Sequence, residues 1–502
     1  MTDLNLSMFR AYDIRTPAHR LTPALAGRLA RAEAVYFREV LGAPGVLVAH
    51  DARSTGPAYL QLAAEEYARA GLEVIVLPGV SSTSLLYFAA MQRPDLAAVM
   101  HGASHNPAGD TGQKLLGPGV RPLARHIGPE GGLDRIEELY ARGAEPPAAP
   151  RRGRIRAHEA LEAYVAYSME RAGVARGGLS GLRLLHDYLN GAAGREMMVA
   201  FDRAGADLTP VHFAADGRFP LGDPNPVKQA VVAEGLAALN AGKYRLATFF
   251  DGDGDRVDFY RGDGTYVSSS FVYAAVLPRV LAHFRQPGPG VFADLKSNPL
   301  AVMEMARAGA TVDVIRNGHS QIKSAMYEDI RRIGTVEESA HFYEAFDLDG
   351  RRFCTENTLY VALLVARTWM EEPERFDRLI ALEGGTSRER EWGYKFAGDS
   401  AREEALRAVR AHFEAQGARA LTHMPNGYDL EATLIRRGLP FDVDADTRLA
   451  PDWLQVCQRV SQSEDGLARW EVVAATPGIA AGARRDIAEI VRPYGAGAEY
   501  QG

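Results

Sequence analysis

Val46-Leu47-Val48-Ala49-His50 and Val74-Ile75-Val76-Leu77 are two short apolar runs, and between them Pro57 to Arg69 carries apolar residues at helical spacing. Runs of this length, rich in β-branched residues, read as buried strands. Gly71 follows the helical stretch where a helix stop belongs. Upstream, Thr22-Pro23 sets an N-cap and a first-turn proline before the run Ala24–Glu39. Strands separated by helices predict a mostly parallel sheet covered by helices on both faces, an α/β fold.

The pattern restarts along the chain. A Pro/Gly/Arg-rich stretch from Ala144 to Arg154 reads as a linker. Beyond it, Leu182–His186 is a strand candidate, followed by the turn Asn190-Gly191-Ala192-Ala193-Gly194 leading into a helix. Leu246–Phe250 is a further strand and ends at an aspartate cluster. A third unit begins near Val291-Phe292-Ala293-Asp294-Leu295 and continues through Val312–Ile315. After about Glu371 a helix, Ser400–Gln416, precedes shorter alternating segments, which predicts a smaller α+β domain. Ala480–Arg492 is a candidate closing helix, and the sequence leaves open whether the tail from Pro477 to Gly502 packs or frays. At 502 residues the chain is too long for one hydrophobic core, so three or four domains are expected.

Composition narrows the partners. A content of 46% hydrophobic and 24% charged residues is ordinary for a globular protein. The net charge of −7 argues against a general nucleic-acid binder, which needs a basic face, but leaves room for a local anion-binding cleft. Cys354 and Cys457 stand far apart without metal-ligand spacing, so reduced thiols are expected. The opening residues Met1-Thr2-Asp3-Leu4-Asn5 lack a basic stretch followed by an apolar run, and no apolar segment is long enough to span a membrane. A cytoplasmic protein, monomer or homodimer, with no membrane partner is the expectation.

Two segments carry chemistry. In His101-Gly102-Ala103-Ser104-His105-Asn106-Pro107, a serine flanked by histidine and asparagine can serve as a nucleophile or phosphate carrier. By itself such a serine is usually an ordinary turn residue. Asp251-Gly252-Asp253-Gly254-Asp255-Arg256 follows the strand Leu246–Phe250 directly. Its three carboxylates, spaced by glycines, can turn toward one hard cation such as Mg²⁺. An EF-hand loop would need glycine sixth and an acid twelfth, where Arg256 and Gly262 stand. A haloacid-dehalogenase-type phosphatase fits the first four residues, but Asp255 occupies the place of its threonine or valine.

Together, Ser104-His105-Asn106-Pro107 with Lys114 further on, and the Asp-Gly-Asp-Gly-Asp-Arg loop after it, resemble the α-D-phosphohexomutase family. Further segments match in the family's order. They are Phe9-Arg10-Ala11-Tyr12-Asp13-Ile14-Arg15, Asp294-Leu295-Lys296, the loop Gly318-His319-Ser320-Gln321-Ile322-Lys323, Glu337-Glu338-Ser339-Ala340-His341, and Arg459-Val460-Ser461-Gln462-Ser463-Glu464. The resemblance implies three related α/β domains with mixed sheets and a smaller C-terminal α+β domain around a central cleft. The boundaries expected are 1–150 for the phosphoserine loop, 151–257 for the metal loop, 258–372 for the sugar loops and 373–502 for the phosphate loop.

The resemblance also implies roles. Ser104 would carry the phosphoryl group, with Mg²⁺ held by Asp251, Asp253, Asp255 and a phosphoserine oxygen. Arg15, Arg256, Lys114 and His105 would serve the transferring group, and Lys296 and His319 would move protons at the sugar hydroxyl. Tyr12, Glu337, Ser339 and His341 would meet the sugar, and Arg459, Ser461, Gln462 and Ser463 the non-reacting phosphate. The activity implied is interconversion of hexose 1-phosphate and 6-phosphate, glucose or mannose, through a hexose 1,6-bisphosphate that also serves as activator. Alternatives are a phosphoglucosamine mutase, a sugar-phosphate phosphatase using Asp251, or a non-catalytic sensor. The sequence departs from the family pattern at Thr16, Gly102, Ala340, Gln462 and Asp465.

Overall fold

The computed structural model describes residues 3–461 and 466–501. It is a mixed α/β protein whose contacts group into two units. The first comprises Met1–Val267, His319–Glu328 and Ala340–Glu371; the second comprises Ser268–Gly318, Asp329–Ser339 and Glu372–Gly502.

In the first unit, the strand Gly45–His50 lies between Glu73–Val80 and Ala97–His101 and runs parallel to both, as the spacing of strands and helices predicts. The sheet is mixed rather than mostly parallel. Asp110–Gly117 returns antiparallel beside Ala97–His101, and Ile14–Pro17 pairs antiparallel with it in turn. The return is short, so no crossover helix can fit and antiparallel pairing follows. The helix Pro23–Val35 is capped by Thr22, whose hydroxyl accepts from Leu25, and continues into a wider turn over Tyr36–Val40. Its apolar residues pack with those of Gly56–Arg69 and Leu133–Arg142 against the sheet, burying Leu29, Tyr36, Phe37, Tyr67 and Ile136.

A second sheet of this unit has Arg183–Asp187 central among parallel neighbours Asp207–Val211 and Leu246–Phe250. Val257–Arg261 then pairs antiparallel with Leu246–Phe250. The metal-type loop therefore connects two adjacent antiparallel strands. The unit also holds the hairpin Phe342–Leu348 with Arg351–Glu356. The segment expected as a loop at Gly318–Lys323 instead opens the helix His319–Glu328, a correction to the sequence reading.

In the second unit, Gly290–Asp294 runs parallel to both Thr311–Ile315 and Arg332–Val336. A separate antiparallel sheet orders Arg419–His423, Asp429–Arg437, Leu454–Val460, Leu467–Ala474, Ser387–Lys395 and Glu499–Gln501. Helices Asp399–Ala415 and Pro477–Val491 cover one face, burying Val409, Phe413, Ala480 and Ile487 against Trp392, Val456 and Trp470. The C-terminal helix Pro477–Val491 is thus packed, which decides a point the sequence leaves open. No helix among the described residues is long and apolar enough to cross a membrane.

Candidate active site

The strand Ala97–His101 ends inside the first unit, and the chain turns at Gly102-Ala103-Ser104. Ser104 sits in the left-handed region at φ 48° and is buried. For a non-glycine residue that conformation is strained, a condition that clusters at functional sites. Asp51 and Arg53 hold the turn. Asp51 Oδ2 accepts the Ala103 N–H at 3.2 Å. The buried Arg53 donates to the carbonyls of Ser104 (3.0 Å), Asn106 (2.6 Å), Pro107 (2.5 Å) and Asp110 (3.0 Å). A Cβ at Gly102 would lie 2.4 Å from Asp51 Oδ2, so a side chain here would require the aspartate to move.

The aspartate loop meets the serine. Ser104 Oγ donates to Asp251 Oδ2 at 2.8 Å, and His105 Nδ1 lies 3.2 Å from the same hydroxyl. Gly252 allows the approach, since a Cβ there would stand 2.6 Å from the Ser104 carbonyl. The other oxygen of Asp251 accepts the N–H groups of Asp255 and Arg256, both at 3.2 Å. Lys114 Nζ donates to Asp253 Oδ2 at 2.6 Å and also to Asp255 Oδ2. Burial disfavours the charge of Lys114, but Asp253 and Asp255 outweigh it and keep the ammonium protonated.

These residues fit a divalent cation. Asp251, Asp253 and Asp255 offer oxygens within 4.8 Å of one another, all buried. Asp253 Oδ1 and Asp255 Oδ1 have no hydrogen-bond partner among the described residues. Burial, then the charges of Asp253 and Asp255, push the Asp251 carboxyl well above its usual range, a repulsion that a bound cation cancels.

Around this core, Arg15 is fixed by Asp13 (2.8 Å) and Asn106 (2.6 Å). Arg256 Nε donates to His341 Nε2 at 3.0 Å, which makes that nitrogen the acceptor of a neutral imidazole. His319 heads its helix with its ring edge-on to Tyr12, the centroids 6.1 Å apart. Burial, then the cations Lys323 and Lys114, hold His319 well below its ordinary pKa, and its Nε2 has no hydrogen-bond partner among the described residues. A neutral imidazole of that kind can accept a proton.

The second unit collects the rest. Asp294, at the end of Gly290–Asp294, accepts from Lys296 N–H (2.9 Å), Asn317 Nδ2 (2.6 Å) and Glu338 N–H (3.1 Å). One carboxylate thus ties three sequence segments together. Glu337 Oε1 accepts from Gly318 N–H at 3.1 Å, with half-buried Ser339 two residues on. Burial opposes the charge of Lys296, but Glu471, Glu391 and Asp294 together raise its pKa, so it is a charged donor. Arg459 lies next to the final residue of the strand Leu454–Val460, and Ser461 follows that strand directly. Gln462 and Ser463 lie outside the described residues.

The sequence reading did not find Asp51, Arg53, Thr83 or Glu391. Asp51 and Arg53 follow a strand as Asp-Ala-Arg, a pattern that a buried ion pair at a strand end could have suggested; Thr83 and Glu391 carried no local signal.

Residues 6–131 match the model of phosphoglucomutase/phosphomannomutase alpha/beta/alpha domain I, and residues 162–264 that of domain II. A phosphomannomutase of Escherichia coli is 28% identical over 425 residues, covering 82% of this chain and 88% of that protein. The structure of a phosphoglucomutase/phosphomannomutase family protein from Burkholderia thailandensis has a TM-score of 0.76 at 21% identity, covering 98% and 99% of the two chains. That of an N-acetylphosphoglucosamine mutase from Aspergillus fumigatus, in complex with GlcNAc-6P and magnesium, has a TM-score of 0.53 at 13% identity over 94% of this chain and 99% of that one. At these identities the two structures speak to the fold alone.

Proposed function

We propose that this chain, which belongs to the α-D-phosphohexomutase family, interconverts the 1- and 6-phosphates of glucose or mannose through a phosphorylated Ser104. That it is a mutase-type isomerase rests on the family. The sugar, the phosphoserine and the bisphosphate intermediate are our reading. The observation that carries it is the 2.8 Å contact of Ser104 Oγ with Asp251 Oδ2, inside a shell that contains Lys114 and Asp253.

In this reading the substrate's free hydroxyl oxygen bonds to the phosphorus on Ser104 as the bond from phosphorus to Oγ breaks. The hydroxyl proton passes to a neutral base, for which His319 Nε2 is suited; the leaving Ser104 Oγ takes up a proton from solvent, and His319 returns its proton to solvent. Arg15 and Arg256 hold oxygens of the transferring group through forked hydrogen bonds. Mg²⁺, held by Asp251, Asp253 and Asp255, would supply charge neutralisation to that group. The hexose 1,6-bisphosphate then turns end over end and returns its other phosphoryl group to Ser104, so a trace of bisphosphate also activates dephosphorylated enzyme. Glu337, Ser339 and His341 take the sugar hydroxyls, and Arg459 and Ser461 the non-reacting phosphate. The four domains bounded at 150, 257 and 372, and action in the cytoplasm, belong to the same proposal.

The phosphatase alternative asks Asp251 to be a nucleophile. Asp251 Oδ2 accepts the Ser104 hydroxyl and its other oxygen two backbone N–H groups, so the serine stands beside that carboxylate, as the mutase reading needs. Peptide mass mapping after incubation with Mg²⁺ and glucose 1,6-bisphosphate tests this. One phosphoryl group on the Ser104 peptide, absent from Ser104→Ala, is expected; a phosphoryl group on the Asp251 peptide would overturn the serine mechanism.

A further inference from the structure

Arg459 and Arg469 stand directly opposite each other on the antiparallel strands Leu454–Val460 and Leu467–Ala474. Like charges in that relationship repel, so something must compensate them. The compensation is Glu391, on the neighbouring strand Ser387–Lys395. Its Oε2 accepts from Arg459 Nη2 at 2.6 Å and Nε at 3.2 Å, and its Oε1 accepts from Arg469 Nη1 at 2.8 Å.

A bulge makes this contact. The register of Ser387–Lys395 against Leu467–Ala474 shifts between Glu389 and Trp392, with one extra residue on the former strand. Glu389 faces the C-terminal helix, where it takes Arg484 at 2.8 Å, and Trp392 lies under the same arginine. Simple alternation would put Glu391 on that helix face too. The bulge sends it to the other face, with Arg459 and Arg469. Lys296 Nζ lies 4.0 Å from the same carboxylate. Burial opposes the negative charge of Glu391, but Arg459, Lys296 and Arg469 outweigh it and hold the carboxyl far below the usual range.

We infer that Glu391 is a positioning residue for substrate phosphate: it grips one edge of the Arg459 guanidinium and fixes the plane in which that group meets the anion. This rests on the reading of Arg459 as a phosphate-binding residue. A guanidinium held by one edge has lost its rotamer freedom before the ligand arrives, so binding does not have to order it. The bulge re-aims an acid at a cation pair, the use to which bulges beside active sites are put.

The test is calorimetric titration of glucose 1,6-bisphosphate, at fixed Mg²⁺, into Ser104→Ala protein carrying Glu391→Gln, Glu391→Asp or Arg459→Gln. Expected is about 10-fold weaker binding for Glu391→Gln, roughly 1.4 kcal/mol, a smaller loss for Glu391→Asp and a larger one for Arg459→Gln. In the Ser104 enzyme, Glu391→Gln raises KM and leaves kcat within about 2-fold, because uniform binding is what is lost. A kcat loss without a KM change marks a merely structural role and overturns the inference. Weak binding by Arg459→Gln together with unchanged or tighter binding by Glu391→Gln also overturns it, leaving Arg459 in place. Unchanged binding by Arg459→Gln removes the reading beneath it. Where Glu391→Gln fails to fold, Glu391→Asp decides, binding as wild type counting against.

Discussion

Thr83 donates its hydroxyl to Asp253 Oδ2 at 2.6 Å and its backbone N–H to the Asp253 carbonyl at 2.8 Å. The residue opens the helix Thr83–Gln92, so the first turn of that helix fixes one aspartate of the candidate metal loop. Oδ2 is committed to Thr83 and Lys114, which leaves Oδ1 as the oxygen for a cation. Groups that orient metal ligands in this way are typically worth about 10–100-fold in affinity. Thr83→Val is therefore expected to weaken Mg²⁺ binding by about that factor, and Thr83→Ser to retain most of it. Calorimetric Mg²⁺ titration reads both; equal affinity for wild type and Thr83→Val would show that Asp253 needs no such support.

Ala340 occupies the left-handed region at φ 69°, where the family pattern has glycine. Its carbonyl accepts the Val257 N–H at 3.0 Å, so the turn cannot relax without breaking that bond. An L-residue there costs about 1–2 kcal/mol, partly offset by the smaller unfolded-state freedom of alanine. Ala340→Gly should stabilise by about 0.5–1 kcal/mol. The readout is a higher denaturant midpoint at unchanged slope; a lower midpoint contradicts it.

Glu33 lies in the helix Pro23–Val35, fully buried, and accepts the Tyr67 hydroxyl at 2.5 Å. Burial pushes its carboxyl up to about 8 from the ordinary 4.5. The folded state therefore binds the proton more tightly than the unfolded chain. The stabilisation is complete below the unfolded pKa and is lost as pH rises through the folded one, at about 1.4 kcal/mol per unit of separation. Glu33→Gln removes that dependence. Melting temperatures between about pH 5 and pH 8 should fall less steeply for Glu33→Gln than for wild type, and parallel falls would place the titration elsewhere.

The strand–helix–strand opening and the helix read at Ser400–Gln416 were legible because hydrophobic period and turn residues report local burial. The return of Asp110–Gly117 beside Ala97–His101 was not, since sheet direction depends on connection geometry. The aspartate loop stood out through its spacing and glycines, whereas Ser104 stood out only through the family resemblance of the two segments together. Arg53 and Asp51 were hidden because they act on backbone carbonyls and N–H groups, which any sequence presents. Glu391 was hidden for another reason: its partner set follows from a one-residue bulge, and counting alternate residues assigns it to the wrong face. Asp294 was quoted only as a strand end, although it ties the Lys296, Asn317 and Glu338 segments.

The most direct measurement is phosphorus NMR of wild type and Ser104→Ala side by side, with Mg²⁺, a trace of glucose 1,6-bisphosphate, and in turn the 1-phosphates of glucose, mannose and glucosamine. The account predicts a 6-phosphate product from glucose or mannose 1-phosphate with wild type only, and little free phosphate. A 6-phosphate product from Ser104→Ala, or free phosphate released equally by both proteins, would contradict it.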